Sequence, residues 1–223
     1  MRLIKHLFAA LGLSLMALSA GAAAPVDGTD YRTLDKPQAT ESGGKVEVLE
    51  FFWYSCPHCY AFEPALAEWV KKQGDNIVFK RVPVAFRDSF VPQQKLYYSL
   101  EAMGRLDDLH KKVFNAIHAE RKRLDSENAI IEFMVQQGVD KKKFLDVYNS
   151  FGVQTKARRA KQQQEAYRVD GVPLVAIDGR YLTSPSIVGA RLRGQPESAL
   201  YTATLDVMSA LVTKAQAEGG GKK

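Results

Sequence analysis

Residues 46–59 read VEVLEFFWYSCPHC, and this stretch decides the fold. Val46 to Tyr54 is a nearly continuous apolar and aromatic run, the pattern of a strand in the middle of a sheet covered on both faces. Pro57 suits the first position of a helix, where its missing N–H has no partner to lose. The helix then carries Phe62, Leu66, Trp69 and Val70 on one face as far as Gly74, with Pro64 inside it predicting a kink. Ile77 to Val84 (IVFKRVPV) reads as a second strand.

Beyond Arg87 the pattern changes. From Ser89 to about Arg168 the spacing is helical, with stops or starts at Gly104, Asp125-Ser126, Gly138-Val139-Asp140 and Gly152. Leu96, Leu100 and Met103 mark one helix; Leu109, Val113 and Ile117 a second; Ile130, Phe133 and Met134 a third; Phe144, Val147, Tyr148 and Phe151 a fourth. His110 and His118 share a face of the second and read as surface residues. Lys156, Arg158, Arg159 and Lys161 read as a solvated helix face. Strand character returns at Pro173 to Ile177, Asp178-Gly179 turns the chain into Arg180-Tyr181-Leu182, and a final helix runs from Pro196 to about Ala217. The order is that of an α/β sheet interrupted by a helical insert, and the closing hairpin and helix must rejoin the first strands to cover the sheet.

The 223 residues, 46% hydrophobic and 25% charged, exclude a disordered chain, and two cysteines exclude both a disulfide-stapled scaffold and an all-cysteine zinc site. The N-terminus has the order of a secretory signal peptide: Arg2 and Lys5, an apolar run from Leu7 to Leu18, and small residues from Ser19 to Ala24. Cleavage is expected after Ala22 or Ala23. Its loss takes Lys+Arg from 31 to 29 against 25 acids, a net charge of +4, and export argues against a nucleic-acid partner. No metal and no cofactor is expected.

The chemistry is at Cys56-Pro57-His58-Cys59. Two cysteines three apart on a helical turn bring their sulfurs within bonding reach. Cys56 faces free N–H groups at the helix start, which favour a thiolate; Cys59, one turn in, is more buried. Cys56 is therefore read as the exposed nucleophile and Cys59 as the resolving thiol. A plain structural disulfide closes too short a loop to stabilise much, and a zinc site with His58 lacks a second ligand pair. His58 can donate a hydrogen bond or a charge to the Cys56 sulfur. Glu50, on the strand face of Val48 and Phe52, is read as a buried acid that shuttles protons for Cys59 or, alternatively, pairs with Lys80 or Arg81. Val172-Pro173 opens the returning strand, where proline belongs at a start or an edge.

The leader, VLEFFWYSCPHCYAFEP, the helical insert and GVPLVAIDGRYL together resemble the DsbA family of periplasmic thiol:disulfide oxidoreductases, in order and spacing over nearly all of the mature chain. The resemblance implies a thioredoxin fold with an inserted all-helical domain: signal peptide 1–23, thioredoxin-like parts 24–87 and 169–218, insert 88–168 and a flexible tail 219–223. It implies a cis Pro173, attack by Cys56, resolution by Cys59, thiolate tuning by His58 and a buried acid at Glu50; a low nucleophile pKa is itself a known property of DsbA. It also implies newly exported, cysteine-containing proteins as substrates, held in a shallow apolar groove near Val172 and Pro173. It further implies a membrane quinone reductase of the DsbB kind that reoxidises the pair, and a monomer is expected. Competing readings are a disulfide isomerase or reductase, a chaperone using the groove alone, and a metal-binding module. An isomerase's N-terminal dimerisation domain has little room in the about 20 residues between the expected cleavage site and the strand at Val46.

Overall fold

The computed structural model describes residues 24–219; the leader and its cleavage site, and residues 220–223 of the tail, lie outside the described residues. Among these residues five strands form one sheet: β1 (Arg32–Thr33), β2 (Val46–Phe52), β3 (Ile77–Pro83), β4 (Leu174–Ile177) and β5 (Tyr181–Thr183). Their order is β1-β5-β4-β2-β3, with β2 parallel to β3 and the other pairings antiparallel. Every residue of β2 is buried, as its lack of alternation requires of a strand with helices on both sides. The hairpin and last helix do rejoin the first strands.

Among the described residues eight α-helices pack around the sheet: α1 (Pro57–Gln73), α2 (Val91–Ala102), α3 (Leu106–His118), α4 (Glu127–Gln136), α5 (Lys141–Tyr148), α6 (Phe151–Ala166), α7 (Pro185–Gly189) and α8 (Glu197–Ala217). Helices α2 to α6 form the insertion between β3 and β4. On one sheet face Val46, Val48, Val175 and Ile177 pack against Phe62, Leu66 and Trp69 of α1 and Met208, Leu211 and Val212 of α8. On the other, Leu49, Phe51, Leu174 and Ala176 join a core that runs without a break into the insertion, through Leu96, Leu109, Phe114, Ile130 and Phe144. Each such side chain contributes roughly 1.5–3 kcal/mol by leaving water, so the insertion is fused to the sheet.

Some local expectations change. Phe151 does not complete the face of α5. That helix ends at Tyr148, the Ser150 side chain caps the backbone N–H of Val153, and Phe151 opens α6 with 77% of its surface exposed. A serine able to cap the next helix outcompetes the apolar spacing, and Gly152 sits in the first turn of α6, at a helix start as its position suggests. The lead-in contributes β1, which pairs Arg32 with Leu182 and Thr33 with Tyr181. The short α7, capped by Ser184 and started by Pro185, lies where no helix is read from the sequence. Among the described residues no helix is long and apolar enough to cross a membrane.

Candidate active site

The two cysteines sit where β2 ends and α1 begins. Cys56 is the N-cap of α1, with Pro57 at the first helical position. Both cysteines are reduced, and the backbone N–H of Cys59 donates to Cys56 Sγ at 3.4 Å. Cys56 is only 7% exposed and Cys59 fully buried. Cys56 is therefore less open than its place at a helix start leads one to expect: the Val172 carbonyl accepts from its Sγ at 3.4 Å, and the Val172–Pro173 bond is cis.

The surroundings drive the two thiols apart. A hydrogen bond from the Cys59 thiol is the largest influence on Cys56. With the backbone N–H groups of Cys59 and His58 and the charge of His58 it outweighs burial, and brings the pKa from 9.0 down to about 6. Burial pushes the Cys59 thiol well above its ordinary range, and the neighbouring Cys56 and Glu50 add to this. One sulfur is prepared as an anion and the other as a neutral thiol.

His58 contributes its backbone and its charge, but its imidazole turns outward. Nδ1 lies 3.0 Å from Glu197 Oε1 at the start of α8, and the same oxygen accepts from Tyr201 Oη. Glu197 was not singled out in the sequence; a carboxylate in the first turn of a helix has an adequate reason to be there in the macrodipole alone. His58, Val172, Pro173, Pro185, Leu200 and Tyr201 line a cavity of about 170 Å³ beside the cysteines. A larger cavity of about 910 Å³ lies between residues 24–31 and α8, and neither cysteine lines it.

Behind Cys59 is a buried charged cluster. In the parallel ladder Val46 faces Ile77, which sets Arg81 opposite Glu50 and Lys80 opposite Leu49. The register thus separates the two basic candidates: Arg81 Nε donates to Glu50 Oε2 at 2.8 Å, whereas Lys80 Nζ reaches Glu47 on the other face at 2.6 Å. Arg81 Nη2 also donates to both oxygens of Glu63, at 2.8 and 2.9 Å. Burial lifts the Glu50 carboxyl to about 7 against the pull of Arg81. Burial also opposes ionisation of Glu63, but His110 and Arg81 outweigh it and hold that carboxyl below its ordinary value. Glu63 went unnoticed in the sequence, although it stands one turn after Cys59 on the same helix face.

The histidines of α3 are not surface residues of no consequence. His110 is 6% exposed, with Nδ1 2.8 Å from Tyr54 Oη. His118 Nε2 lies 2.8 Å from the Tyr54 carbonyl, and its ring stacks on Tyr60 at 4.7 Å. Both stand in line with the apolar Val113, Phe114 and Ile117, a helical signal that predicts burial for His110. Buried Gln93 of α2 bonds Ser55 Oγ at 2.7 Å and the Leu124 carbonyl at 3.0 Å. Trp53 stacks on Phe90 with ring centres 3.7 Å apart. The loop carrying Cys56 is thus pinned to the insertion by residues 53, 54 and 55 in succession. Among the described residues no cluster of three or more His, Cys, Asp or Glu has metal-binding geometry.

A family model described as a DSBA-like thioredoxin domain matches residues 78–195. The chain is 48% identical over 186 residues to the thiol:disulfide interchange protein DsbA of Burkholderia cepacia, covering 83% of this chain and 88% of the relative. It is 40% identical over 168 residues to that of Pseudomonas aeruginosa PAO1, covering 75% and 80%. The crystal structure of Pseudomonas aeruginosa DsbA superposes with a TM-score of 0.77 at 36% identity, over 86% of this chain and 94% of that one. Reduced DsbA1 from Neisseria meningitidis gives 0.74 at 25% identity, over 89% and 98%. With a thioredoxin-like sheet, a helical insertion and a cysteine pair at the end of β2, the chain belongs to the DsbA family of thiol:disulfide oxidoreductases.

Proposed function

We propose that this protein is a periplasmic dithiol oxidase that passes its Cys56–Cys59 disulfide to newly exported proteins. The observation that carries this reading is the opposed state of the two thiols, with Cys56 Sγ held by N–H groups at the start of α1 and Cys59 buried and neutral. A stabilised thiolate favours the reduced enzyme, and so makes its disulfide a strong oxidant.

A client thiolate attacks Cys56 Sγ, forming a client–Cys56 disulfide and breaking the Cys56–Cys59 bond; Cys59 leaves with the electron pair and takes a proton from Glu50. A second client thiolate then attacks the client sulfur and expels Cys56 as the thiolate. The client loses two electrons and the enzyme pair gains them. Glu50, at about 7 and hydrogen-bonded to Arg81, is poised to give or take that proton near neutrality. Val172 and Pro173 border the groove in which the client lies, and Val172, with its carbonyl on Cys56 Sγ, offers backbone for strand-like pairing. A membrane quinone reductase of the DsbB kind restores the disulfide, and the enzyme works as a monomer.

The test is equilibration of the Cys56–Cys59 pair with glutathione mixtures, followed by Trp53 fluorescence, together with oxidation of a reduced unfolded client. Reduction by mild glutathione and client oxidation that disappears in Cys56→Ala support the oxidase. A pair that only a strongly reducing dithiol opens identifies a reductase or a structural bond. Client binding and protection that persist in Cys56→Ala identify a chaperone.

A further inference from the structure

His110 is a buried titratable group that the reaction above does not use. Its Nδ1 is 2.8 Å from Tyr54 Oη, and its Nε2 is 3.7 Å from Glu63 Oε2. Tyr54 is buried, and among the described residues Nδ1 is the acceptor open to its hydroxyl. A tyrosine that donates there places the ring proton on Nε2, the nitrogen that faces Glu63. That nitrogen has no partner at hydrogen-bond distance, and neither has Glu50 Oε1 at the far end of the same cluster.

Between these two ends lies one guanidinium shared by two carboxyls. If both ionised, Arg81 would neutralise only one of them, so the buried cluster holds a proton on Glu50 or on Glu63. We propose that His110 is a positioning residue that decides this choice: its Nε2–H faces Glu63 and keeps it ionised, leaving the shared proton on Glu50. The opposite directions in which the two carboxyls are displaced agree with this assignment. Burial holds His110 itself below the ordinary imidazole range, as a neutral donor. The charged and titratable groups around it are Tyr54 after β2, Glu63 of α1, Arg81 of β3 and Tyr97 of α2, with Glu50 behind Arg81; Phe52 and Phe114 close the remaining sides. The inference rests on the reading of Glu50 as the proton carrier of Cys59.

The contact at 3.7 Å is electrostatic rather than a formed hydrogen bond, so its removal changes the partition of the proton by less than a full charged hydrogen bond would, about fivefold. The experiment loads Cys56 with a chromogenic aromatic thiol and follows its release across the acid and neutral range. In this step Cys59 attacks Cys56 Sγ, its proton passes to ionised Glu50, and the aromatic thiolate leaves with the electron pair. Cys56 is bonded throughout and does not titrate.

In the native protein the rate falls about tenfold per pH unit below about 7, as Glu50 becomes protonated. In His110→Leu the proton spreads onto Glu63, part of Glu50 stays ionised, and the acid rate relative to the variant's own neutral plateau rises about fivefold. His110→Gln, whose amide can donate near the Nε2 position, moves back toward the native profile. Tyr54→Phe frees Nδ1 to carry the proton and gives a smaller change in the same direction; it decides the matter if His110→Leu does not fold. An acid limb unchanged in both variants, while Glu50→Gln abolishes it, overturns the role of His110 and leaves that of Glu50 intact. An acid limb that survives in Glu50→Gln overturns the Glu50 reading and this inference with it.

Discussion

Titrating Cys56 should change the stability of the reduced protein and leave the oxidised protein almost untouched. Folding moves this thiol from 9.0 to about 6, and a group whose pKa is depressed in the folded state stabilises that state when ionised. Three units correspond to about 4 kcal/mol once pH exceeds the unfolded value, where the effect is complete. Near pH 7 only the first unit above the folded titration has accumulated, about 1.4 kcal/mol, and this is lost as pH falls through about 6. Cys59, raised well above the thiol range, is protonated in both states here and adds nothing. Glu50, Glu63 and Arg81 are present in both redox forms, so subtracting the oxidised protein's stability removes most of their effect. The assay is urea unfolding of both forms at a series of pH values, with ultraviolet thiolate absorbance on the folded reduced protein. The difference between the forms should shift toward the reduced protein by about 1.4 kcal/mol between pH 5 and 7. A flat difference, with thiolate appearing only near 9, would refute the argument that the start of α1 and the Cys59 thiol hold an anion at Cys56.

Three further outcomes follow from the same geometry. Glu50→Gln should remove a loss of stability that the native protein shows between about 4.5 and 7, because a carboxyl whose pKa is raised on folding stabilises the fold below its unfolded value and ceases to do so as pH rises through the folded one; urea midpoints across that window read this directly. Arg81→Met leaves Glu50 and Glu63 buried without their cation and should cost about 3–5 kcal/mol in chemical unfolding at neutral pH, and a loss below about 1 kcal/mol would mean that the cluster is held by other means. Gly179→Ala should cost about 1–3 kcal/mol, since φ is +66° and a Cβ there would lie 2.1 Å from the Gln38 carbonyl oxygen; an unchanged thermal midpoint would show that residues 38 and 179 are not packed as described.

What the sequence made legible was whatever depends on local pattern. The unalternating β2, Pro57 at a helix start and the cysteine spacing each need only their neighbours, and together they locate the reactive pair. Lys80 and Arg81 show where local pattern stops. Adjacent residues on a strand point to opposite faces, so either one suits Glu50 until the alignment of β2 on β3 is known, and alignment is a property of two segments. The same limit hid Glu63 and His110 as partners, because 46 residues of sequence, with the whole of β3 and α2 among them, lie between them. β1 was missed for a simpler reason: two residues are too short to display a period.

The sheet's two outer strands have a bearing on solubility. β3 forms one border and the two-residue β1 the other. β3 carries Lys80 and Arg81 side by side and ends in Pro83, which has no N–H to offer a newcomer. Charge, proline and brevity are the means by which strand borders resist extension by a foreign chain. On the function proposed above, the clients are polypeptides each able to add itself as one more strand, and such borders give them no place to attach. On that reading the chemistry is confined to the proposed groove at the end of β2, while the rest of the sheet stays inert toward the same chains.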